Sequence, residues 1–174
     1  MRSRSLSGRG RRVYRILLDT NVLVDYYLGR EPGCSACNSI IALSQGTHAL
    51  YVASLTLKDV YYLVAATLKH MQRVDKGNLT ESDTAACNQI AWSCVRHAMD
   101  ATIVANVGKN ECLDAFVCRS VHDDFEDDLV LASARAVDAN FLVTGDERLA
   151  LHSPVGALSP VAMANLLAAE QQAR

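Results

Sequence analysis

Five of the seven residues from His122 to Asp128 are acidic, and three further aspartates stand alone at comparable points of the chain. These are Asp19 in RILLDTNVLVD, Asp59 in SLTLKDVYYLV and Asp146 in FLVTGDERL; Asp124, Asp127 and Asp128 belong to the acidic run. Each motif sits where an apolar, strand-like run ends or a helix-like run begins. Carboxylates at the strand ends of an open parallel sheet point into one crevice, which is where such folds bind ligands. Like charges gathered there raise one another's pKa, and a divalent cation relieves them. Hard oxygen donors favour Mg²⁺ or Mn²⁺. The chemistry open to such a set is metal-assisted cleavage of a phosphodiester.

Every one of these acids also has a plain structural use. Asp19, before Thr20, suits a helix cap. Asp59 lies among Leu57, Val60, Leu63 and Val64 and suits the solvated flank of a helix. Asp124, Asp127 and Asp128 suit a first helical turn, where the helix dipole favours anions. Asp146 follows Gly145 and suits a turn. It is the four motifs together that are specific.

The elements that must position them alternate. Strands are expected at Val13–Leu18, Ala49–Ala53, Thr102–Val107, Asn140–Thr144 and, more weakly, Val155–Leu158. Between them fall helices over Asn21–Leu28, Ser35–Ser44, from Ser54 or Thr56 to Gln72, Glu81–Met99 and Lys109–Arg119. A further helix runs from Asp123 or Asp124 to Val137, and a last one from Pro160 to Glu170. Residues 74–80 read as a polar loop, and Leu113, Phe116 and Val117 as the apolar stripe of the short fifth helix. This alternation predicts a three-layer α/β/α fold with a mostly parallel sheet of four or five strands. Right-handed crossovers put the strand C-termini on one edge, with Asp59 and Asp127 in the first turns of helices running back from it.

With 174 residues, half of them hydrophobic, the chain suits one domain with a full core. No apolar run approaches the roughly 20 residues of a membrane span, and no signal peptide is recognised. A cytoplasmic location is expected, and the six cysteines fit it as buried free thiols. They include a CxxC at Cys34 and Cys37, without a second pair at zinc spacing. The net charge of −2 is unevenly placed: residues 1–12 hold five arginines and no acid, leaving the remainder near −7. That division reads as a basic arm before a single domain of residues 13–174. The arm is either an inert tail or an RNA contact that offsets the acidic body. His122 reads as a surface residue.

Taken together, the motifs resemble the PIN-domain ribonucleases, including the VapC-type toxins of type II toxin–antitoxin pairs. The resemblance spans Arg15 to Leu167. LLDTNVLVD matches the opening motif with Asp19 as first acid. DFEDDLVLASARAVDANFLVTGDERL matches the closing block, aligning the third acid with Asp127 and the fourth with Asp146. In SLTLKDVYYLV, Asp59 stands where many members carry the longer Glu. Asp128 stands where a small residue is usual, and Gly145 where a basic one is common.

The resemblance implies a PIN-like fold and a metal-dependent endoribonuclease acting on single-stranded RNA. It implies catalytic roles for Asp19, Asp59, Asp127 and Asp146, with Asp19, Asp127 and Asp146 holding Mg²⁺ or Mn²⁺. Asn21, Thr144, Asp124 and Asp128 would support them. It also implies an antitoxin partner and a homodimer, for which Val22, Leu23 and Leu28 with Tyr26 and Tyr27 offer more apolar surface than one short helix usually hides. Two rivals differ in class. One is a PIN-fold scaffold with weakened catalysis. The other is a HAD-like phosphohydrolase, whose nucleophile needs a second Asp where this chain has Asn21.

Overall fold

The computed structural model describes residues 12–119 and 124–173. Residues 1–11 of the arm, together with His122 and Asp123, lie outside the described residues. Strand β1 (Arg15–Leu18) is the middle of the sheet. Ile16, Leu17 and Leu18 are each 0% exposed, as expected of a parallel strand covered on both faces, which reads as an unbroken apolar run. The chain continues through α1 (Thr20–Tyr27), α2 (Gly33–Ser44), β2 (Ala49–Ala53), α3 (Ser54–Lys76) and α4 (Glu81–Ala101). Then follow β3 (Ile103–Ala105), α5 (Lys109–Cys118), α6 (Phe125–Ala136), β4 (Phe141–Val143), α7 (Glu147–His152), β5 (Gly156–Leu158) and α8 (Pro160–Gln172).

All strand pairs are parallel, in the order β3-β2-β1-β4-β5. Leu17 stands opposite Tyr51 of β2 on one side and Leu142 of β4 on the other. The chain builds outward from β1 through β2 to β3, then returns to β4 on the opposite flank of β1. The connections therefore diverge between β1 and β4, the position where open α/β sheets leave a crevice at their carboxyl ends.

Alternation along β1 divides the core. Ile16 and Leu18 pack with α1, α2, α3, α4 and α8 through residues such as Leu23, Ile40, Val60, Val95 and Met163. Leu17 faces the other way, onto Val130, Leu131 and Ala134 of α6 and Leu149 of α7. This is the three-layer α/β/α arrangement read from the alternation of strand and helix.

Several boundaries differ from the sequence expectation for identifiable reasons. Helix α3 starts at Ser54 without a side-chain cap, so Asp59 sits in its second turn. The two expected capping hydroxyls are engaged elsewhere: Ser54 Oγ accepts from the Val107 N–H at 3.2 Å, and Thr20 donates to Thr56 Oγ1 at 3.2 Å. Helix α3 also continues to Lys76 before Gly77, at φ +77°, ends it, so the loop is shorter than residues 74–80. Helix α7 has no counterpart in the sequence reading.

Helix α5 presents the small Ala115 inward, while Leu113, Phe116 and Val117 are exposed. Its expected apolar stripe is therefore not a core contact. Conversely, Val22 and Leu23 of α1 are each 1% exposed, so they belong to the core and offer no association surface. All six cysteines are free, and burial pushes the Cys37 thiol up to about 12. Among the described residues no helix is long and apolar enough to cross a membrane.

Truncating Ile16 to alanine deletes a fully buried side chain in the central strand. It should lower the unfolding free energy by about 2–5 kcal/mol, read from urea titration followed by circular dichroism.

Candidate active site

Asp19 is the first residue past β1. Its backbone N–H still donates to Val143 O of β4 at 3.0 Å, which fixes the end of β1 against β4. Its side chain caps α1, Oδ1 accepting from the Thr20 N–H at 2.6 Å. The Thr144 hydroxyl donates to Oδ2 at 2.7 Å and accepts from the Asp146 N–H at 2.9 Å. One hydroxyl thus couples the first acid to the backbone of the last. Asn21 adds a second tie across the same gap, its Oδ1 accepting from the Gly145 N–H at 3.3 Å.

Asp146 caps α7 through Oδ1, which accepts from the N–H groups of Arg148 and Leu149 at 2.7 and 3.1 Å. Asp124 caps α6 in the same way, accepting from Glu126 N–H at 3.0 Å and Asp127 N–H at 3.3 Å. It is exposed on the outside of that turn. Asp127 follows on α6, facing the end of β1.

Asp19, Asn21, Glu126, Asp127 and Asp146 line a cavity of about 330 Å³, together with Asp25, Arg30, Leu63 and Thr67. Four other residues singled out from the sequence do not line it. Thr144 lies beneath Asp19. Asp124 is at the helix cap. Asp128 is 1% exposed within the fold. Asp59 is 9% exposed on α3, where Lys58 Nζ meets its Oδ1 at 2.8 Å. A larger cavity of about 450 Å³ lies at the opposite edge of the sheet, around Ser44, His48, His97 and Asp100. None of the sequence-singled acids lines it, so the acid chemistry belongs to the smaller one.

The electrostatics follow the geometry. Burial raises the Asp19 carboxyl above the ordinary aspartate range, the Thr144 and Thr20 hydrogen bonds pull it back, and the charge of Asp146 raises it further. Glu126 is raised first by burial and then by the charge of Asp59, which its carboxyl touches. Among the described residues no three His, Cys, Asp or Glu side chains converge closely enough to enclose a metal ion. The donor set nevertheless fits a hard cation. It is all carboxylate oxygen, it faces a common space, and the Oδ2 of Asp59 behind it is buried without a hydrogen-bond partner.

Glu126, Arg30 and Asp25 are cavity residues that the sequence reading did not select. Glu126 was visible as one acid of the run. Arg30, held to Asp25 at 3.4 Å, carried no signal, because only the turn after α1 brings it back to the site.

Comparison with known proteins places this arrangement in context. The family model described as PIN domain matches residues 15–148. No curated protein matches the sequence. Among solved structures, the chain is similar to VapBC2 from Rickettsia felis, crystallised with a DNA fragment from its promoter. There the TM-score is 0.61 at 12% identity, over 83% of this chain and 98% of that one. A toxin–antitoxin complex from Klebsiella pneumoniae gives 0.55 at 18% identity, over 83% and 97%. PAE2754 from Pyrobaculum aerophilum gives 0.56 at 20% identity, over 94% and 96%.

The Thr144 hydroxyl stabilises the ionised form of Asp19. Replacing it with the isosteric methyl in Thr144→Val should destabilise the metal-free protein by about 1–3 kcal/mol at neutral pH. The loss should shrink as pH falls through the raised value of Asp19 and on below 3.8, where the carboxyl is protonated whether folded or not. Urea unfolding at a series of pH values checks this; a pH-independent loss would show that the bond does not act through the charge on Asp19.

Proposed function

The chain belongs to the PIN-domain family, a family of nucleases, and from that membership we propose that it is a divalent-metal-dependent endoribonuclease hydrolysing phosphodiester bonds of single-stranded RNA. We further propose that it acts as the toxin of a toxin–antitoxin pair, a reading supported by its likeness to two toxin–antitoxin structures. The observation that carries the catalytic reading is the meeting of Asp19, Asp127 and Asp146 in one cavity at the β1/β4 crevice.

Asp19, Asp127 and Asp146 would hold one or two Mg²⁺ or Mn²⁺ ions. When bound, the ion supplies Lewis acidity towards water and charge neutralisation at the scissile phosphate. The protein's own residues do the positioning. Each oxygen of Asp19 accepts one hydrogen bond and keeps a second lone pair. Asp146, which lines the cavity, uses Oδ1 to cap its helix and leaves Oδ2 outside that cap. Asn21 and Thr144 hold the β4–α7 turn against α1, which keeps the first and last acids in register. Arg30 at the rim offers guanidinium donors to a phosphate, a contact that Gly145 does not provide. Asp124 sets the entry of α6 and thereby the place of Asp127.

We propose the α3–α4 hairpin, where Tyr62, Leu63, Ile90 and Trp92 are exposed, as the surface for an antitoxin contact or a homodimer. Leu63 also reaches the cavity rim, so a bound helix there would lie beside the acids. The arginines of residues 1–12 supply the positive charge that the acidic body lacks.

Cleavage of a labelled single-stranded RNA should require Mg²⁺ or Mn²⁺ and stop on chelation. Asp19→Asn and Asp127→Asn should each reduce it by about 100-fold or more, the scale on which one charge-stabilising group acts. Asp124→Asn should stay within about tenfold, as befits a residue that acts through another. Cleavage that persists under chelation would defeat the metal reading. Removing residues 1–12 should leave folding intact while lowering RNA affinity and flattening its salt dependence, since fewer counterions are released. Unchanged binding at low salt would make the arm inert.

A further inference from the structure

The carboxyl groups of Asp59 and Glu126 meet between α3 and α6, 67 positions apart in the sequence. Only one of the two reaches the cavity. Leu63 and Thr67, one and two helical turns beyond Asp59, line it, so the face of α3 is turned the right way. At the turn of Asp59 itself, however, Glu126 is the residue that lines the cavity. The Asp59 carboxyl stops behind it. Its Oδ1 is ion-paired with Lys58 at 2.8 Å, and its Oδ2 is buried without a hydrogen-bond partner. The Lys58 ammonium is close enough to act on Glu126 as well.

A buried acceptor without a hydrogen-bond partner, beside a second carboxyl, is unfavourable. A cation held in the adjoining cavity, which Glu126 lines, would offset that cost. The side chain at position 59 is one carbon short of a glutamate, and Glu126 comes from the opposite wall with the longer arm.

We propose that Glu126 is a further carboxylate ligand for the divalent cation of this site, and that Asp59 is a positioning residue that braces Glu126 from behind with Lys58. This rests on the reading that a divalent cation occupies the cavity. The two helices then share one function: α3 supplies the ion-paired support, and α6 supplies two adjacent acids, Glu126 and Asp127.

The test is Mn²⁺ binding to the full chain by isothermal titration calorimetry without RNA, with circular dichroism confirming the fold of each variant. Wild type should bind. Glu126→Gln should weaken binding by about tenfold or more, since ligand and supporting residues act on the ~10–100-fold scale. Asp59→Glu placed in the Glu126→Gln background should recover most of that loss, because the longer acid can then reach the cavity from α3. A purely structural contact would give no such rescue. Glu126→Gln with wild-type affinity, while Asp127→Asn is weakened, overturns the role of Glu126 and leaves the metal reading standing. Absence of rescue overturns the role of Asp59. Absence of Mn²⁺ binding by folded wild type overturns the metal reading and this inference with it.

Discussion

Asp19 is taken almost wholly out of water at the end of β1, and its neighbours are arranged around the cost of doing so. An ionised carboxylate buried without donors would be untenable. Here the Thr20 N–H and the Thr144 hydroxyl each supply a short hydrogen bond. The second donor is the residue that follows β4, so the charge is accommodated when β1 and β4 are paired in register. The Thr144 hydroxyl in turn receives the N–H of Asp146. Sheet register, helix start and acidic cavity are therefore one connected arrangement.

The cavity concentrates negative charge with few counter-charges. Lys58 stands behind Asp59, and Arg30 is engaged by Asp25. Both side chains are more than half exposed, so solvent screens them. Burial and mutual repulsion push Asp19 and Glu126 upward from their ordinary values. A site in this condition stores electrostatic cost that a divalent cation would release, and its oxygen-only donors suit Mg²⁺ or Mn²⁺. The three helix-capping acids carry part of that cost. Asp19, Asp124 and Asp146 each face the positive end of a helix. Capping and ligation, set against each other as readings of the sequence, are compatible uses of the same side chains. A cap occupies one carboxylate oxygen or one lone pair and leaves another.

The outer helices follow a different logic from the inner ones. Helix α1 is consumed by the core through Val22, Leu23 and Val24. The long α3–α4 hairpin keeps Tyr62, Ile90 and Trp92 outside, and α5 keeps Phe116 and Val117 outside. These exposed aromatic and aliphatic groups all lie on the outer helices, away from the core. The apolar content of a short helix did not predict which helix would carry them.

The sequence alone determined the parallel sheet and the acids that follow β1 and β4. A strand covered on both faces must be continuously apolar, and the acid closing such a run has nowhere to go but the sheet edge. That made RILL followed by Asp19, and FLV followed by Thr144 and Asp146, legible as a pair. Asp124 through Asp127 were legible as the start of a helix for the same local reason. Tertiary structure alone decided which acids face one another. The rotation of α3 about its axis, set by Val60 and Val64 in the core, stops Asp59 behind Glu126. The turn after α1 returns Arg30 to the rim, and the packing of α5 through Ala115 exposes its large residues. These outcomes depend on how distant elements are oriented when they pack. Local periodicity records only that an element has an apolar side, not what it meets.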